Sequence, residues 1–71
     1  MTPFAQNLRH QRLKVGLSQF ELYLKCGISP KQLSNFECGE RLPNIQNLIR
    51  IKRALGCSYG DLLTDNKQNH D

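Results

Sequence analysis

The chain has 71 residues, 38% of them hydrophobic, and a formal charge of +4 at pH 7 with a pI near 9.3. A chain this short forms one small domain that buries only about 60% of its unfolded surface, so dimerisation or tight packing of short helices is expected to support it. Its three cysteines, Cys26, Cys38 and Cys57, are widely spaced with no C-x-x-C pair, and its histidines, His10 and His70, stand alone. That pattern argues against a disulfide scaffold, a metal site or a Cys–His or Ser–His–Asp arrangement, so neither enzyme activity nor a cofactor is expected.

No apolar run reaches the roughly 20 residues that cross a bilayer. Nothing at the N-terminus reads as a secretory leader, and a soluble cytoplasmic protein is the expectation. The basic balance fits nucleic acid, because counterion release from phosphates supplies non-specific affinity. It equally fits a solvated basic surface.

Helix punctuation is dense and strand signals are poor. Thr2-Pro3 reads as an N-cap with proline at the first helical position, predicting a helix that runs to Gly16. At 100° per residue, Phe4, Ala5, Leu8 and Val15 share its apolar arc, while Leu13 points elsewhere. Arg12 falls inside the arc, where an unpaired charge is very costly.

Ser18 with Glu21 makes a capping box and opens a second helix that stops at Gly27. Leu22 and Cys26 mark its core face. Phe20 and Leu24 form a second, exposed apolar stripe: either a minor surface feature or a docking place for the C-terminal tail or another protein.

Ser29-Pro30 repeats the cap-plus-proline signal and opens a third helix ending at Gly39. Leu33 and Phe36 face inward, with Glu37 at the edge of that arc. Glu37 is therefore the expected partner of Arg12, in a pair that is either buried or a nearly neutral surface contact. Lys31, Ser34, Asn35 and Cys38 turn outward, with Gln32 on the flank. Such a face is the ordinary solvated side of a helix, or one equipped to bond base edges.

Pro43-Asn44 announces a fourth helix closed by Gly56. Ile45, Leu48, Ile49, Ile51 and Leu55 form its apolar arc, and Lys52 lies within it, with its stem packed and its amine reaching out. Ser58 caps a last short helix carrying Leu62 and Leu63, on which Tyr59 is a candidate for self-association. Residues 1–65 then make the domain and 66–71 a flexible polar tail. The expected fold is all-α, a compact five-helix bundle. Cys26 and Cys57 take core positions, and Cys38 is exposed, either passive or a redox switch.

Gly16-Leu17-Ser18-Gln19, Leu22, Gly27-Ile28-Ser29, Leu33, Phe36-Glu37-Cys38-Gly39, Pro43 and Leu48 occur in order, followed by Ala54-Leu55-Gly56-Cys57-Ser58 and Leu62-Leu63. In joint order and spacing the chain resembles the Cro/repressor-type helix-turn-helix family, the lambda-repressor-like fold, over roughly residues 4–64. The resemblance implies a DNA-binding helix-turn-helix at 18–39, in which helix 2 crosses the phosphate backbone and helix 3 enters the major groove.

Carried over by position, Pro30, Lys31, Gln32 and Asn35 face base edges, and Gln19, Ser34, Arg41 and Asn44 contact phosphates. The Arg12–Glu37 pair also matches one found in phage members. Four departures stand out. Pro30 has no side-chain hydrogen-bonding group, Glu40 stands where a basic residue is common, Tyr23 replaces a small one, and Lys52 stands where the family favours alanine.

The implied partner is double-stranded DNA. A homodimer is expected to join near the end of helix 4 and Tyr59, on a near-palindromic site whose half-sites lie about 34 Å apart. The function implied is a transcriptional regulator, a repressor by expectation, acting in the cytoplasm on the nucleoid. The alternative is an antitoxin or protein-docking adaptor, for which Phe20 and Leu24 would be the surface.

Overall fold

The computed structural model describes residues 3–65. Five helices follow in order: α1 (Pro3–Lys14), α2 (Gln19–Cys26), α3 (Pro30–Glu37), α4 (Ile45–Leu55) and α5 (Tyr59–Leu63), with no strand among the described residues. The expected cap at Thr2 and the tail at 66–71 lie outside those residues.

Each later helix starts where a short polar side chain replaces the backbone partner that the first turn lacks. The Ser18 hydroxyl accepts from the Glu21 N–H at 3.0 Å, while the Glu21 carboxylate accepts from the Ser18 N–H at 2.8 Å. Ser58 and Asp61 repeat this reciprocal box, with both bonds at 3.0 Å. Donation to the Asp61 carboxyl from the Ser58 backbone N–H, and then from the Ser58 hydroxyl, holds it below its ordinary range. Ser29 caps α3 through the Gln32 N–H with Pro30 at the first helical position, and Asn44 Oδ1 caps α4 through the Asn47 N–H at 2.8 Å.

The end of α1 corrects the expected arc. Gly16, at φ 80°, is the left-handed residue of a Schellman turn: its N–H reaches the Leu13 carbonyl and the Leu17 N–H reaches the Arg12 carbonyl, both at 3.0 Å. Val15 thereby falls one residue past the end of α1 and is 46% exposed; Leu17 takes the place against the core instead. The arc on α4 is also too wide at its start. Ile45 is 68% exposed, because a side chain in the first turn leans back toward the helix N-terminus and passes the edge of the packed core.

The core gathers Phe4, Leu8, Leu22, Cys26, Ile28, Leu33, Phe36, Ile51, Leu55 and Leu62. The rings of Phe4 and Phe36 meet edge to face at 6.3 Å, joining α1 to α3. α1 packs on α3 and α5, and α2 packs on α3 and α4. Lys52 is half-buried, with its Nζ 5.1 Å from the centre of the Tyr59 ring. Its stem packs while the charge finds an aromatic face rather than bare water.

Polar residues also enter the interior on α1, where Asn7, Gln11 and Arg12 are buried. The Asn7 amide donates to the carbonyls of Leu62 at 3.1 Å and Thr64 at 2.6 Å, tying the exposed end of α5 to α1. Asn7→Ala is therefore expected to lower unfolding stability by about 1–3 kcal/mol, the range for stranding buried acceptors. A urea titration checks this, and a midpoint equal to that of the unaltered protein would show that the clamp contributes nothing.

Candidate nucleic-acid interface

The helix-turn-helix geometry begins at the connection between α2 and α3. Only Gly27, Ile28 and Ser29 separate the two helices. Gly27 turns the chain at φ 76°, where a Cβ would meet nothing, so glycine is required by the backbone conformation rather than by space. Ile28 is buried and anchors the turn to the core. The angle between α2 and α3 is thus held from inside.

Arg12 and Glu37 hold it from the flank. Arg12 Nε donates to Glu37 Oε2 at 2.6 Å and Nη2 to Oε1 at 2.9 Å, with the two side chains only 10% and 6% exposed. Nη1 donates to the Leu17 carbonyl at 2.8 Å. The bond to Glu37 outweighs the loss of hydration and pushes the Arg12 guanidinium up from its already basic value. Gln19 joins the group, its Nε2 donating to Glu37 Oε1 at 3.2 Å. No buried side-chain nitrogen or oxygen among the described residues is left without a partner.

Above this network lies an open cleft of about 250 Å³, lined by Arg9, Arg12, Gln19, Ser34, Glu37 and Cys38. It brings together α1, the start of α2 and the outer side of α3. Pro30, Lys31 and Gln32 are exposed on the first turn of α3, and Asn35 and Ser34 are half-buried one turn on. Arg41 is exposed in the segment before α4, and Asn44 is exposed at the α4 N-cap, where Oδ1 is engaged and the amide nitrogen is not used by that bond. These two lie outside the cleft.

The remaining candidates sit elsewhere. Phe20 and Leu24 are 58% and 65% exposed on α2, and the Phe20 ring tilts against half-buried Tyr23 at 5.6 Å. The bulk of Tyr23 is accommodated at the margin of the core. Tyr59 is on α5, against Lys52. Helix periodicity alone missed Arg9 and the inward turn of the Gln19 amide. Arg9 stands three residues before Arg12 and so on its face of the helix, a signal present in the sequence. The Gln19 bond depends on how α2 and α3 meet, which no local pattern encodes.

The helix-turn-helix family model matches residues 8–62. The chain belongs to the Cro/C1-type helix-turn-helix family. Control protein C.BamHI of Bacillus amyloliquefaciens is 36% identical over 61 residues, covering 84% of this chain and 75% of that protein. Among solved structures, the P22 c2 repressor in complex with a synthetic operator superposes with a TM-score of 0.82 at 31% identity, over 92% of this chain and 98% of that one. The restriction-modification controller C.AhdI of Aeromonas hydrophila also gives 0.82, at 29% identity, over 87% and 94%. This helix-turn-helix protein is accordingly a DNA-binding transcriptional regulator of the repressor or controller type, not an enzyme. No helix among the described residues is long and apolar enough to cross a membrane.

Two measurements check the site. Arg12→Ala strands the Glu37 carboxylate and is expected to cost about 3–5 kcal/mol of stability, the range for breaking a buried pair from one side; a loss under about 1 kcal/mol would match a surface pair instead. Thiol chemistry offers the second. Burial pushes the Cys26 and Cys57 thiols up, while Cys38 is exposed at the cleft. Mild alkylation of the folded helix-turn-helix protein is expected to modify Cys38 first, with Cys26 reacting only in denaturant; equal rates at Cys26 and Cys38 would contradict the packing.

Proposed function

We propose that this regulator is a repressor or controller that inserts α3 into the major groove of double-stranded DNA and acts as a homodimer on a near-palindromic site, in the cytoplasm on the nucleoid. The observation that carries the reading is the two-sidedness of α3. Leu33 and Phe36 are buried beneath it, while Pro30, Lys31 and Gln32 stand exposed on its first turn.

Lys31 carries a donor suited to the guanine acceptors, and Gln32 and Asn35 carry amides that can bond adenine in two places. Pro30 contributes shape alone. Gln19, Ser34, Arg41 and Asn44 contact phosphates on either side, which sets register without reading sequence. The operator-bound state of the P22 c2 repressor supports the same use of a similar scaffold here. Tyr59, on the outer side of α5, belongs to the dimer contact.

Selection of bound duplexes from a random pool tests this reading. The expected result is a palindromic consensus, with Lys31→Ala and Gln32→Ala each losing about 1–3 kcal/mol of discrimination at one base step per half-site. Retention of the full preference in both variants would remove direct readout by α3. Recovery of no consensus would favour the second reading, a protein-docking or antitoxin role through the exposed Phe20 and Leu24 stripe.

A further inference from the structure

Arg9 is exposed on α1, one turn before Arg12, and lines the same cleft as Gln19 and Ser34. Among the charged side chains around that cleft, Arg12 and Glu37 neutralise one another through their bidentate pair. Arg9 is thus the net charge of the cleft. Its guanidinium is also the one in the cleft whose donors are not committed to Glu37 and Leu17.

The neighbouring groups complement it. Gln19 gives one amide N–H to Glu37 Oε1, and a primary amide has a second. Ser34 adds a hydroxyl from α3. One fixed positive charge with an amide donor and a hydroxyl donor is the chemistry that holds a phosphodiester oxygen pair. We propose that Arg9 is a phosphate ligand of the DNA backbone, so that α1, α2 and α3 together grip one phosphate in this cleft, with Glu37 as the positioning residue that orients the Gln19 amide. This extends the interface to α1 and rests on the DNA-binding reading above.

The test is the salt dependence of binding to a labelled duplex of mixed sequence, for which no operator is needed. Each contact between a protein cation and a phosphate adds about 0.9 to the magnitude of the negative slope of log K against log salt, through the counterions it releases. Arg9→Ala is expected to lose that amount per bound subunit, Arg9→Lys to retain it, and all variants to melt at the temperature of the unaltered protein.

Lys25, exposed at the opposite end of α2 from Gln19, serves as the control, and Lys25→Ala is expected to leave the slope unchanged. An unaltered slope in Arg9→Ala, or equal losses in Arg9→Ala and Lys25→Ala, would overturn the contact while leaving DNA binding in place. Absence of any binding by the unaltered protein would overturn both.

Discussion

The bidentate contact between Arg12 and Glu37 is the point through which the other parts of this structure are related. Removing both charges from water costs several kcal/mol per ion unless the lost hydration is replaced. Here it is replaced: the guanidinium also bonds the Leu17 carbonyl, and the carboxylate also receives the Gln19 amide. Those partners belong to α1, the turn after it, the first residue of α2 and the last residue of α3. A single buried ion pair therefore fixes how the two helices of the motif sit against the rest of the domain. Hydrophobic packing beneath, through Phe4 and Phe36, keeps the same helices together but without that directional demand.

The consequence for function is a division of labour on α3. Its inward residues are committed to the core and its last residue to the ion pair, so the first turn and outer side are the parts that the proposed DNA contact uses. Because Glu37 is neutralised by Arg12, its carboxylate does not oppose an approaching phosphate. Glu40, exposed just beyond the helix, makes no ion pair among the described residues, so on the proposed reading its charge opposes a phosphate approaching there. The balance between these two acidic residues is set by geometry rather than by composition.

Much of the fold was legible in the sequence because its signals are local. Ser18, Ser29, Asn44 and Ser58 each cap a helix by bonding a backbone N–H three residues on, a relation fixed by helix geometry alone. The pairing of Arg12 with Glu37 was legible for a different reason: a charge on an apolar arc must be answered by an opposite charge at the edge of a facing one. What escaped were relations between helices and at their ends. Val15 and Ile45 fit the periodic arcs, yet the Schellman turn at Gly16 and the lean of a first-turn side chain carry them outward. Asn7 carries no local signal, and its use appears only once the end of α5 is set beside α1. On α3 the exposure of Lys31, Gln32 and Cys38 was legible, whereas Ser34 and Asn35 are half-buried by the neighbouring helices.

The central claim is that the Arg12–Glu37 pair joins fold and DNA binding, and a double-mutant cycle tests it most directly. Arg12→Met, Glu37→Leu and the combined variant would be compared for unfolding free energy and for DNA affinity. The combined variant is expected to be more stable than either single one, with a coupling of about 2 kcal/mol or more, while its DNA affinity stays reduced because Gln19 has lost its orienting partner. Additive stability losses, or a combined variant that binds DNA as tightly as the unaltered protein, would contradict it.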